Sequence, residues 1–232
     1  ISPKMRKLTT DEIKVVESSQ DFGTKLFKQI VQIEQDKNIF ISPLSVSMAL
    51  GMALNGAAGN TFQAMQSTLQ FQNMTSEQIN QAYRSLLQLL RNLDPKVIFE
   101  IANSIWYRQD LQFEKNFIDL NKKYFDATIN PLDFGNPNAI NTINNWVKEK
   151  TRNKIQKIIG RINPENIMFL INAIYFKGSW EEKFDERFRL HIKIFLCSQI
   201  NLIRRWISVF NKYGTRHAKF VGKTFVSIKL LN

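Results

Sequence analysis

Residues 38–76 contain no Asp, Glu, Lys or Arg, in a chain of 232 residues whose formal net charge is +12. A charge-free segment of this length has to be covered by the rest of the protein, because it lacks the side chains that hold a surface in water. Pro43, Gly51, Asn55, Gly56 and Gly59 interrupt it, so no run reaches the roughly 18 apolar residues of a membrane span. It reads as buried elements of a soluble domain. Hydrophobic residues make up 44% of the chain and aromatics 12%, enough to enclose a substantial core.

Inside that segment, 39–41 reads as a short apolar strand. Ser42 followed by Pro43 then forms a helix start, with a serine cap and a proline at the first helical position. The helix, 44–54, is apolar or small on every side, and Ser45, Ser47, Ala49, Gly51 and Ala53 keep it thin enough for other backbones to approach. A glycine-rich stop at 55–59 precedes a short helix capped by Asn60 or Thr61.

On either side, helical spacing predicts a helix over 10–32, opening at Thr10-Asp11 and interrupted near Ser18-Ser19. Thr75 and Gln78 have capping-box spacing ahead of Ile79, Ala82, Leu86, Leu89, Leu90 and Leu93. Residues 97–107 alternate as a strand, with Asn103 on the same phase as Ile101 and Ile105. Two further helices follow, around Phe113–Tyr124 and from Ile140 to near Thr151. Residues 167–176 form the strongest strand, apolar on both faces except for Asn172, as expected in mid-sheet. The order implies a mixed α+β domain, with a buried helical layer behind a sheet.

The basic excess is local. Residues 189–232 hold nine of the 32 basic residues and none of the 20 acidic ones, so 1–188 has a net charge of only +3. Arg204-Arg205-Trp206 with Lys212, Tyr213, Arg216 and Lys219 has the interleaving of a nucleic-acid tail, although a solvated face explains it equally well. On the helix over 75–93 only Arg84 and Arg91 are basic, too few for a polyanion site.

Catalytic chemistry finds little footing. Gly222-Lys223-Thr224 lacks the upstream glycine of a phosphate loop, there is no G-x-S-x-G elbow, and the two histidines, His191 and His217, lie in the basic tail. The one cysteine, Cys197, excludes an internal disulfide and reads as a small apolar residue rather than a nucleophile. No ligand cluster points to a metal. Asn73-Met74-Thr75 is an N-glycosylation sequon. The sequence opens at Ile1 without a basic-then-apolar leader, so a signal peptide, where the protein has one, lies outside it.

Three groups of residues carry a family resemblance: Asn38-Ile39-Phe40-Ile41-Ser42-Pro43-Leu44-Ser45-Val46, then Gly56-Ala57-Ala58-Gly59-Asn60-Thr61, then Asn172-Ala173-Ile174-Tyr175-Phe176-Lys177-Gly178-Ser179-Trp180. Ala102-Asn103-Ser104-Ile105, Asp133-Phe134 and Ile143-Asn144-Asn145-Trp146-Val147 support them in order. Over about residues 10–188 the chain resembles the serpins. The resemblance implies helices packed on a large central β-sheet that opens to admit a cleaved reactive loop as an added strand, the basis of suicide inhibition of serine, sometimes cysteine, endopeptidases. It assigns Ser42, Ser45 and Asn172 to the shutter beneath the sheet and Trp180 to the point where the loop enters. It also implies a secreted, extracellular, non-enzymatic protein with no cofactor, no metal and no membrane span, whose partner is a target protease. Against the shutter stands the plainer reading that buried serines bond their own helix and a core asparagine is simply satisfied.

Motif by motif, the resemblance stops after Phe188. No hinge, reactive loop or shutter histidine is recognisable in 189–232, so the chain divides into a partial serpin-like domain, 1–188, and a divergent basic tail, 189–232, from a frame break or an alternative terminus. The fold is then incomplete at the C-terminus. The alternatives to inhibition are a truncated or non-inhibitory binding protein and, ranked last, a nucleic-acid binder acting through the tail.

Overall fold

The computed structural model describes residues 6–34, 38–92, 95 and 97–178, together with the backbone of a strand at 223–229. Ten elements follow in order: α1 (Thr10–Ile33), α2 (Pro43–Leu54), α3 (Gly59–Thr68), α4 (Ser76–Arg91), β1 (Ile98–Arg108), α5 (Lys115–Phe125), β2 (Thr128–Leu132), α6 (Ala139–Lys150), β3 (Met168–Lys177) and β4 (Lys223–Lys229). The described residues up to Phe176 and the strand at 223–229 belong to one compact unit.

The helix starts follow from local chemistry. Thr9, one residue before the expected cap, closes a capping box with Glu12 at the head of α1. Ser42 accepts from the Ser45 amide with Pro43 at the first position of α2. Thr75 and Gln78 close the box on α4. Each box satisfies two amides that the helix itself leaves without partners. α3 departs from expectation: it starts at Gly59 after Ala58, with no side-chain cap, and Gly59 has a φ of +54° that a residue with a Cβ resists.

The expected break in α1 does not occur. Ser18 donates to the Gln70 carbonyl at 2.7 Å and Ser19 lies 3.2 Å from the Ser47 hydroxyl. With partners on neighbouring elements, neither hydroxyl competes for its own helix backbone. Residues 39–41, expected as a strand, are in no sheet among the described residues. Among the described residues no strand lies beside them, and Phe40 is 55% exposed. α1 and α2 meet closely where Gly23 faces Pro43.

Among the described strands the sheet order is β2-β1-β3-β4. β1 and β2 pair in parallel, from Ser104 against Thr128 to Arg108 against Leu132. α5 lies between them in the chain, as a parallel connection requires. β2 was not read from the sequence: it is five residues long and contains Pro131. Its place at the sheet edge explains both, because an edge strand tolerates a missing donor. β3 pairs antiparallel with β4, with Asn172 opposite Val226.

β1 and β3 separate two cores by simple alternation. Ile101, Ile105, Leu170 and Ile174 join a large core with Val15, Met48, Met52, Tyr83, Leu87 and Phe125 from the helices behind the sheet. Trp106, Phe169 and Ile171 face the other way, against Ile143 and Val147 of α6. A strand covered on both faces loses its polar phase, which is why β3 reads as one apolar run. No residue of α2 is exposed. The full burial of Met48 and Met52 contributes about 2 kcal/mol each. Polar links tie the helices together: Asn80 donates to Asn55, Asn55 to Asn121, and Asn121 to the Met52 carbonyl, at 2.8, 3.0 and 3.2 Å.

Candidate functional site

Polar side chains collect in the large core between α2 and the middle of the sheet. Asn103 of β1 and Asn172 of β3 each sit on the phase that faces the helices, and both are buried. The Asn172 amide donates to Asn103 Oδ1 at 2.7 Å and lies 3.9 Å from Met48 Sδ on α2. Asn103 in turn donates to the Phe125 carbonyl at the end of α5, at 2.7 Å. One chain of hydrogen bonds therefore runs from β3 through β1 to α5.

This network is incompletely satisfied. Four buried side-chain atoms have no hydrogen-bond partner among the described residues, and three of them belong to this core: Asn172 Oδ1, Ser45 Oγ and Tyr83 OH. Such groups are uncommon in a folded interior because each forfeits hydration without replacement. Burial pushes the Tyr83 phenol up to about 12, and the nearby Ser47 and Ser19 hydroxyls offset part of this. The raised value keeps Tyr83 neutral, and its hydroxyl has no well-aligned partner among the described residues.

Of the residues singled out in the sequence, Ser42 caps α2 and is half-buried, Ser45 is buried one turn in, and Asn172 is buried beneath mid-sheet. Trp180 lies outside the described residues, as do Cys197, His191 and His217. Asn73 is exposed at the turn before α4, with a φ of +61°. Arg84 and Arg91 both engage Asp126, Arg91 at 2.6 Å. Among the described residues no cluster of His, Cys, Asp or Glu could hold a metal, and no helix is long and apolar enough to cross a membrane.

Sequence reasoning placed Asn103 in a family-like motif but gave it no role, read Ser19 as part of a helix break and Ser47 as a small residue of a thin helix, and passed over Tyr83. A signal for Asn103 was present: it is a polar residue on the apolar phase of a strand, the same mark that drew notice to Asn172. Tyr83 had none, since a tyrosine on the buried face of an amphipathic helix is ordinary core packing.

The comparisons with known proteins agree with this architecture. The family model described as "Serpin (serine protease inhibitor)" matches residues 17–199. Serpin B6 of Pongo abelii is 30% identical over 222 residues, covering 94% of this chain and 58% of its own length. Corticosteroid-binding globulin of Saimiri sciureus is 34% identical over 71% of this chain and 42% of its own length. Among solved structures, the thermophilic serpin Tengpin in the latent state superposes with a TM-score of 0.70 at 33% identity, covering 79% of this chain and 48% of that one. The chain thus spans about half the length of the relatives it matches. Its likeness also continues past Phe188: the family model ends at 199, and the Serpin B6 alignment takes in more of the chain than 1–188 supplies. With ordered motifs, a two-core sheet and matches over most of its length, the chain belongs to the serpin family.

Proposed function

We propose that this chain forms the loop-accepting framework of a secreted suicide inhibitor of serine or cysteine proteases, with Ser42, Ser45 and Asn172 as its shutter and Trp180 at the loop's entry point. The single observation that carries the proposal is the set of unpaired buried groups, Asn172 Oδ1 and Ser45 Oγ among them, between α2 and mid-sheet. A core built only for stability favours full satisfaction. Groups left open on one strand arrangement can accept partners on another, which suits a sheet whose strands part and re-pair. An inserted loop adds main-chain hydrogen bonds and buries apolar surface, and this drives the change. No catalytic residue is required of the inhibitor, since the nucleophile belongs to the protease.

The test is incubation of the full protein carrying this sequence with a panel of trypsin-like, chymotrypsin-like and papain-like proteases. An SDS-stable adduct of one protease per inhibitor, formed through the trapped acyl-enzyme, is the expected result. Cleavage without adduct across the panel overturns inhibition. A second reading, a non-inhibitory carrier, draws on the 34% identity to corticosteroid-binding globulin. It requires saturable binding of a corticosteroid by the uncleaved protein in equilibrium dialysis.

A further inference from the structure

We infer that Asn73 is an N-linked glycan acceptor whose modification precedes the closing of the α4 capping box. Asn73 is the one asparagine of the sequence followed, after a non-proline residue, by Ser or Thr. That pattern alone is a weak signal. The structure adds two independent observations, exposure at a pinned turn and a sequon hydroxyl consumed by the fold.

The turn between α3 and α4 is held on both sides of Asn73. Phe71 is fully buried and Met74 is 4% exposed. The Phe71 amide donates to the Gln66 carbonyl at 2.9 Å, the Met74 amide to the Phe71 carbonyl at 3.2 Å, and Gln66 Nε2 to the Met74 carbonyl at 2.6 Å. Between these anchors Asn73 is exposed in the left-handed region, a conformation that asparagine tolerates better than most residues. A glycan on its amide displaces no core side chain and meets solvent.

Thr75, the sequon hydroxyl, is the N-cap of α4. Its Oγ1 accepts from the Gln78 amide at 3.2 Å and lies 3.1 Å from Gln78 Oε1, which also takes the Thr75 amide at 2.9 Å. The hydroxyl that marks the acceptor is therefore already committed once α4 is capped. Transfer belongs to the nascent chain. The donor class is an oligosaccharide on a lipid pyrophosphate: the bond from Asn73 Nδ2 to sugar C1 forms as the bond from C1 to the pyrophosphate oxygen breaks, the amide loses one proton, and the lipid pyrophosphate departs.

The experiment delivers the full chain into the endoplasmic reticulum of cultured cells behind a heterologous signal peptide. Gel mobility is read from lysate and medium before and after peptide-N-glycosidase, with the Asn73 peptide identified by mass spectrometry. One glycan is expected on the wild type. Asn73→Gly, which keeps the left-handed φ, and Thr75→Asn, which keeps a good cap, are expected to abolish the shift, whereas Thr75→Ser retains it. Purified folded protein offered a solubilised transferase and its lipid-linked donor is expected to take no glycan. An unshifted wild type in the lumen overturns the site, and efficient transfer to folded protein overturns the order. Protease adducts are not read, so failure of inhibition and failure of this site are separate results.

Discussion

Leucine substitutions at Asn103 and Asn172 test whether the mid-sheet amides act as one unit. In the native arrangement Asn172 Oδ1 has no partner among the described residues, while Asn172 Nδ2 and Asn103 Nδ2 are both donating. Asn103→Leu strands two groups, the Phe125 carbonyl and Asn172 Nδ2. At about 1–3 kcal/mol for each buried group left without a partner, it costs about 2–6 kcal/mol. Asn172→Leu strands only Asn103 Oδ1 and removes the oxygen that had no partner, so gain and loss cancel to within about 1 kcal/mol. In the double variant just the Phe125 carbonyl loses its donor and the unpaired oxygen is also gone. Leucine keeps the branched skeleton of asparagine among Ile101, Ile105, Leu170 and Ile174 but carries bulkier methyl groups, so the removal of stranded polar groups is set against overpacking and the double variant lies within about 2 kcal/mol of the wild type. The second substitution therefore rescues the first. Urea unfolding followed by far-UV circular dichroism gives the four stabilities by linear extrapolation. A double variant as unstable as Asn103→Leu, or one whose losses simply add, refutes the reasoning.

Other sites give sharper single measurements. A Cβ on Gly23 would sit 2.4 Å from Pro43 Cβ and 2.5 Å from its Cγ, so Gly23→Ala sets a helix-propensity gain of about 1 kcal/mol against an overpacking cost of about 1–3 kcal/mol. Its thermal midpoint is expected to fall, and a rise would sink the close-packing argument. The Arg6 guanidinium, at 2.7 and 2.5 Å, holds the buried Glu12 carboxyl down to about 2 from an ordinary 4.5, helped by the Ser85 hydroxyl and the Thr9 amide against burial. Because the folded value is the lower one, this stability is present above about pH 4.5 and lost as pH falls toward about 2. With Arg6 half-exposed, solvent screening leaves about 1–2 kcal/mol. Glu12→Gln is expected to flatten that acid limb, and an unchanged pH profile would disprove the coupling. Tyr83→Phe removes a buried hydroxyl that has no well-aligned partner among the described residues and is expected to hold or raise the urea midpoint, whereas a loss above about 1 kcal/mol would mean the hydroxyl is bonded after all.

Elements set by short-range chemistry were legible. The Ser42-Pro43 start, the Thr75-Gln78 box and the apolar phases of β1 and β3 each need only residues a few positions apart. Elements set by distant partners were not. Ser18 and Ser19 looked like a helix break because their partners, Gln70 and Ser47, lie far along the chain. Residues 39–41 have strand composition, yet a strand exists only where another pairs with it, and none of the described strands does. β2 was hidden by Pro131, which is tolerable only because topology puts that strand at an edge. In the candidate site, Asn172 stood out as a lone amide in an apolar run, while its partner Asn103 was visible in phase yet passed without a role.

By itself the sequence determined where most helices begin and which family pattern the residues follow, but of the helices in the charge-free segment it read as buried only α2 is enclosed, while no residue of α3 is buried. Charge, capping geometry and side-chain period act over less than about ten residues. The tertiary structure alone decided that β1 and β3 are neighbours, that Asn172 meets Asn103 rather than solvent, and that three polar atoms of the same core have no partner among the described residues. Hydrogen-bond satisfaction is a property of what lies within about 3.5 Å in space, and nothing in the linear order states which residues will arrive there.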